Sequence, residues 1–379
     1  MNIFNSLGSN YDFGFVVKSL LNFSASTQEL EKFLEEKYKG KVTLVYKGRE
    51  AIELGLKSLN LPSESFVAIN GFTCFAVYEA IKKAGLNVEY LDIEKGELNF
   101  SAAELEKVLK NNPKIKVVII QNTLGYPCDI EQISKICQEN EIILIEDLAH
   151  SVGTRYASRL EAGTVGDTVV LSFSQDKMID GISGGALIQK NGTTLLLEDV
   201  PIKKQLTDRL YPKFTYLIRK TYSFGIGKIF HYLLKNLKLL SSPSDQLSNL
   251  HKLPAWHCNM TKLALMSHKD NIDHRRKIAQ TYAQNLNPKI ISPKITNLIN
   301  LSSNLRFPIF VNNRDSLIKN LKKFGVYVSD IWYDTPIHPL CPNAKLASEE
   351  ILNLPTHINV SISDAQNISQ LINQWLKLQ

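Results

Sequence analysis

The chain has 379 residues, 44% hydrophobic and 21% charged, which is ordinary for a globular protein and excludes wholesale disorder. Its net charge of +7 sits in one stretch: residues 203–240 carry nine lysines and arginines against a single acid, Asp208, and the remainder is nearly neutral. No uncharged apolar run reaches the ~20 residues of a membrane span, and the polar N-terminus lacks a signal-peptide pattern. The five cysteines contain no Cys-x-x-Cys pair, so they read as free thiols of a cytosolic protein, with no disulfide framework and no metal site.

From residue 42 to residue 189, short runs rich in Val, Ile and Leu alternate with amphipathic stretches. Strands are predicted at 43–46, 66–69, 88–91, 117–120, 142–145, 169–173 and 186–189, apolar enough to be buried on both faces. Helices are predicted at 49–59, 77–84, 101–110 and 130–139. Ser101 with Glu104 forms a capping-box start, and Asp129 is an N-cap candidate. This alternation implies an α/β layer with a mainly parallel sheet, and ligands of such sheets bind beyond the carboxyl ends of the strands. Residues 203–240 read as basic, aromatic helix interrupted by Pro212, Gly225 and Gly227. A polar linker at 241–249 and a long helix at 256–286 follow. After them come a strand at 306–311, a helix at 316–324, a strand at 326–329, a loop at 333–343 and a last helix at 363–376. The expected division is a large domain, 1–248, and a small α/β domain, 249–379.

Two stretches carry chemistry. Ile145-Glu-Asp-Leu-Ala-His-Ser-Val152 is a buried strand ending in two acids. A carboxylate buried at a strand end demands a cationic or hydrogen-bonding partner. Ser172-Phe-Ser-Gln-Asp-Lys177 ends the next strand ahead of Gly184-Gly185. A half-buried lysine there has its basicity lowered enough to act as an amine nucleophile. An aspartate and a Schiff-base lysine are the pair a pyridoxal phosphate site needs.

With Gly48-Arg-Glu-Ala-Ile-Glu-Leu-Gly-Leu-Lys-Ser-Leu59, Asn70-Gly-Phe-Thr73, Arg275-Arg276 and Leu352-Asn-Leu-Pro-Thr-His357, these motifs span nearly the whole chain. The sequence resembles the DegT/DnrJ/StrS aminotransferases, pyridoxal phosphate enzymes of the aspartate-aminotransferase-like fold (fold type I) that act mostly on nucleotide-linked keto sugars. The resemblance implies that Lys177 holds the cofactor covalently and shuttles the proton, and that Asp147 holds the pyridine nitrogen. It implies that His150 reaches the ring oxygen, Ala149 packs on the ring and Ser172 binds the phosphate. Gly48 and Arg49 would offer backbone N–H groups to that phosphate, with Thr73 nearby. It further implies a homodimer with the site near the subunit interface, an amino acid donor (glutamate expected) and a nucleotide-sugar acceptor in surface polysaccharide or related glycan synthesis.

Three positions depart from the family pattern. Arg49 stands where Ser or Thr is frequent, Cys74 where an aromatic ring often stacks on the cofactor, and Asn249 is a loose match to an asparagine that reaches the partner's phosphate. Tyr333 and His338, in a loop resembling one at the family's active-site mouth, are substrate-side candidates, as is Tyr11. A sugar dehydratase on the same fold is the rival activity, and Lys177 argues against it because that branch carries histidine there. A non-catalytic membrane-associated protein that kept the fold is a rival of another class. Residues 203–240 leave two readings open: an interfacial helix on anionic lipid, which would place a cytoplasmic enzyme peripherally at the inner membrane face, or a helical excursion packed on a dimer partner with solvated lysines. Nothing base-reading accompanies the charge, so nucleic acid is not an expected partner.

Overall fold

The computed structural model describes residues 2–21, 26–191, 195–243, 245, 247–328 and 340–379. The strands, in chain order, are β1 (Ile3–Phe4), β2 (Lys41–Val45), β3 (Phe66–Asn70), β4 (Asn87–Leu91), β5 (Ile115–Ile120), β6 (Ile143–Asp147), β7 (Thr168–Ser172), β8 (Gly185–Gln189), β9 (Arg306–Phe310), β10 (Val326–Tyr327) and β11 (Ile351–Pro355). Seven of them form one sheet in the order β2-β8-β7-β6-β5-β3-β4. Only β8 runs antiparallel to its neighbours. All seven strands expected from the sequence are in it.

Alternation along β5 explains the apolar runs. Val118 and Ile120 face one core with Leu144 and Leu171, while Val117 and Ile119 face the other with Ile145 and Val170. Both faces are covered by helices, so both must be apolar. The helix Gly48–Ser58 buries Ala51, Ile52 and Leu54, and Gly55 lies against Leu187. Both residues cap their helices, Ser101 accepting from the Glu104 N–H and Asp129 from the Gln132 N–H, each at 3.3 Å, but the expected capping box is only half formed, since the Glu104 carboxylate turns to Lys107.

Three expectations change. The long helix at 256–286 is two helices, Ala255–Met266 and His268–Asn285, meeting at Ser267. Pro212 lies inside the helix Ile202–Thr221 instead of interrupting it. The proline forfeits its own backbone donor, but the buried face of Asp208, Tyr211, Thr215 and Ile218 holds the helix through that turn. The packing also fails to change at residue 249. Cys258, Ile272 and Leu305 belong to the large-domain core, whereas Ile278, Ala279 and Tyr282 pack with the small one. Ile3 joins that small core because β1 pairs in parallel with β10. In the small unit β9 pairs antiparallel with β11, and among the described residues the two form a two-stranded sheet, whose edges tolerate Pro308. Residues 329–339, with Tyr333 and His338, lie outside the described residues.

Candidate active site

The carboxyl ends of β5, β6 and β7 converge on one buried cluster. Asp147 closes β6, and its Oδ1 accepts the Ala149 N–H at 2.9 Å. Its Oδ2 accepts from Gln121 Nε2 at 3.5 Å, and Gln121 Oε1 in turn accepts from Thr73 Oγ1 at 2.8 Å. Burial pushes the Asp147 carboxyl up to about 6, opposed by the Ala149 N–H, the Lys177 charge and Gln121. Glu146 points to the other face, where it accepts from the Tyr156 hydroxyl and the N–H groups of Gly163, Val165 and Gly166. That wiring makes Glu146 a structural anchor, as strand alternation demands.

Lys177 follows a tight loop in which Asp176 sits at φ +62°. Its Nζ lies 3.2 Å from His150 Nε2. The Leu124 N–H donates to His150 Nδ1 at 3.2 Å, so the ring hydrogen of the neutral imidazole resides on Nε2 and points at Nζ. A donor aimed at an amine requires a lone pair there. Burial lowers the basicity of Lys177, with the nearby Arg306 charge acting the same way against the Cys74 and Asp147 charges. Burial, then the charges of Lys177 and Arg306, hold His150 well below the usual histidine range. Burial thus disfavours the charged form of both the amine and the imidazole.

A second part of the site is a close approach of three backbones. A Cβ on Gly48 would come within 2.6 Å of Ser172 Cβ and 2.8 Å of its Oγ. One on Gly185, the register partner of Ser172, would lie 2.8 Å from the Gly48 Cα. Only glycines permit this contact. It sets the Ser172 hydroxyl beside the first turn of the helix Gly48–Ser58, whose leading N–H groups have no intrahelical acceptor. A serine hydroxyl against such donors suits a phosphate. The Arg49 side chain turns away to Glu79 at 2.7 Å, so only its backbone serves this cradle.

The cluster thus brings together Gly48 and Ser172 on one side and Thr73, Asp147, Ala149, His150 and Lys177 on the other. Cys74 precedes the helix Phe75–Lys83 within electrostatic reach of Lys177. Asn249 is bound on the surface to Glu198 at 2.7 Å. Tyr11 is buried and stacked on Phe15 at 4.9 Å, and its hydroxyl donates to Asp180 Oδ1 at 2.7 Å.

Sequence reasoning missed Gln121, Arg306 and Lys47. Gln121 is signalled only by its place one residue past β5. Arg306 is fully buried at the start of β9, and its charge reaches both Lys177 and His150. Lys47, next to Gly48, is buried with no hydrogen-bond partner for its Nζ, and burial lowers it to about 8. A buried cation beside the cradle adds to its suitability for an anion.

Solved structures of the same architecture exist. An aminotransferase of Helicobacter pylori, PseC, involved in the biosynthesis of pseudoaminic acid, matches with a TM-score of 0.74 over 100% of both chains at 16% identity. Among curated proteins, the GDP-perosamine synthase of Caulobacter vibrioides is 22% identical over 349 residues, 87% of this chain and 84% of that protein. The GDP-perosamine synthase of Escherichia coli O157:H7 is 29% identical over 162 residues, so the match spans less than half of either chain, 43% of this one and 44% of the other. These likenesses fit the α/β sheet of fold type I. The model of the DegT/DnrJ/EryC1/StrS aminotransferase family matches residues 18–373, and the chain belongs to that family.

Proposed function

We propose that this pyridoxal phosphate-dependent aminotransferase moves an amino group from glutamate to a nucleotide-linked keto sugar, with Lys177, Asp147 and His150 as its working groups. The observation that carries the reading is the Lys177 amine 3.2 Å from His150, in a cluster that also holds the buried Asp147 carboxylate at the end of β6. When bound, the cofactor supplies an aldehyde carbon for attachment and a ring that accepts the electron pair freed at the substrate carbon. Lys177 Nζ, its basicity lowered by burial, would make that attachment. The same Nζ, when free, would be the group that takes a proton from one carbon and returns it to another. His150 Nε2–H orients the amine. Asp147, steadied by the Ala149 N–H and Gln121, carries the negative charge that keeps the ring nitrogen protonated. Ser172 Oγ and the N–H groups of Gly48 and Arg49 hold the phosphate, with Thr73 and Cys74 on the facing loop.

The reading includes a cytoplasmic homodimer with the site near the subunit interface, where Asn249 would face the partner. Five free cysteines suit that compartment, and light scattering tests the dimer. The substrate class is suggested by the names of the relatives and by Lys177, where a dehydratase of this fold would carry histidine. The test is to load the enzyme with heavy-nitrogen glutamate and offer a panel of nucleotide-linked keto sugars. The expected product is a nucleotide amino sugar carrying the heavy nitrogen. A deoxygenated sugar without nitrogen would replace this reading with the dehydratase, and amination of 2-oxo acids alone would exclude a sugar substrate.

Gly48→Ala gives a separate check on the cradle. The added methyl has no room against Ser172. Overpacking of this kind is worth about 1–3 kcal/mol, so the Kd for pyridoxal phosphate rises ~5–150-fold in a fluorescence titration while the fold persists. An unchanged Kd would remove Gly48 from the phosphate site.

A further inference from the structure

The helices Ile202–Thr221 and Ile226–Asn236 form a hairpin hinged at Gly225, φ +79°. One side of it is fastened to the body of the protein. Asp208 is fully buried and bonded to His257 at 2.9 Å and to the Tyr46 hydroxyl at 2.5 Å. Tyr211 meets Tyr11 edge-on at 6.0 Å, and Tyr222 meets Phe4 at 4.9 Å. The orientation of the hairpin is therefore fixed, and so is the face it turns outward.

That face is apolar where a surface helix is normally polar. Ile226, Ile229, Leu233 and Leu237 follow one another at i, i+3, i+7 and i+11, one stripe of a 3.6-residue helix, and are 62%, 65%, 48% and 64% exposed. Phe224 at the hairpin tip is 80% exposed. Charge accompanies the stripe. Lys203, Lys213, Lys220, Lys228, Lys235 and Lys238 are exposed and in no ion pair among the described residues. Lys204, by contrast, is neutralised by Asp208 and Asp245. The one acid of residues 203–240, Asp208, is inside, so the outer surface of the hairpin carries cations without an exposed anion.

This combination selects among occupants. A symmetric contact with a second copy would set the unpaired lysines of one hairpin against those of the other, within the ~10 Å over which charges interact at moderate salt. An anionic bilayer instead offers phosphate headgroups to the lysines and acyl chains to the Ile–Leu stripe. Among the described residues no helix is long and apolar enough to cross a membrane, so the contact lies in the plane of the surface. We propose that this hairpin is a peripheral docking surface for an anionic lipid bilayer.

Flotation of the full-length holoenzyme tests it, with vesicles of phosphatidylcholine alone or with one third phosphatidylglycerol. Wild type floats with the anionic vesicles at low salt, stays at the bottom with phosphatidylcholine, and is released as salt is raised. A Lys213→Gln, Lys220→Gln, Lys228→Gln, Lys235→Gln variant binds ~10²–10³-fold more weakly, at about fivefold per lysine. Ile229→Ser with Leu233→Ser also loses flotation while keeping wild-type transaminase activity, which separates docking from folding. Wild type that never floats, or variants that float as it does, would overturn the proposal. So would light scattering that shows the serine variant turning from dimer to monomer, since the stripe would then be the contact between copies.

Discussion

Lys177→Ala lowers transamination by at least ~10³-fold, because it removes both the attachment point of the cofactor and the group that moves the proton, and positioned proton transfer alone contributes ~10²–10⁴-fold. The variant still folds and still binds pyridoxal phosphate, since Gly48, Ser172 and Asp147 are untouched. It binds the cofactor without a covalent link, so the cofactor washes out on dialysis against phosphate. His150 loses its partner at 3.2 Å and keeps the Leu124 N–H on Nδ1. Steady-state assays with glutamate check the rate, and absorbance before and after dialysis checks the link. A variant turning over within tenfold of wild type would transfer the role to another lysine.

Asp147→Asn keeps the shape of the side chain and removes its charge. Its rate falls by ~10²–10³-fold, as expected when a preorganised electrostatic partner of the reacting system is lost. The same variant gives a pH signature in cofactor-free protein. Burial raises the Asp147 carboxyl from 3.8 to about 6. Between those values the folded protein holds a proton that the unfolded chain has released. The stability this provides is complete below about pH 4 and is lost as pH rises through 6, at ~3 kcal/mol in all. Asparagine does not titrate, so the stability of wild type relative to the variant falls by that amount from pH 4 to pH 7 in urea melts. A difference that stays flat with pH would mean that Asp147 is not the buried, proton-holding acid described above.

Much of the large unit is legible in the sequence for a physical reason. Strands covered on both faces carry unbroken apolar runs, such as Val117–Ile120 and Val169–Leu171. Caps at Ser101 and Asp129 are equally plain because they depend on a local hydrogen bond. Pro212 misleads for the opposite reason: a local rule yields to the packing of Tyr211, Thr215 and Ile218. The helix Thr27–Tyr38 is absent from the sequence reading, since its apolar contribution is chiefly Leu30 and Leu34 among glutamates and lysines. β11 reads as a motif rather than a strand, because Asn353 and Pro355 break its apolar run.

The site divides in the same way. Asp147, His150, Ser172 and Lys177 lie in two short contiguous motifs, and motifs are what a sequence displays. Gln121, Lys47 and Arg306 come from separate elements and are ordinary polar residues when read alone. Their relevance arises only from tertiary placement, which buries each of them. The Tyr11–Asp180 bond is hidden for the same reason: nothing local announces that Asp180, 169 positions away, accepts from its hydroxyl.

The most direct test of the account is to fix the cofactor to the protein with borohydride and locate it by peptide mass mapping. The account predicts a single modified peptide containing Lys177, and loss of the modification when glutamate is added before the reductant. Modification of a different lysine, or none in protein saturated with pyridoxal phosphate, would contradict it.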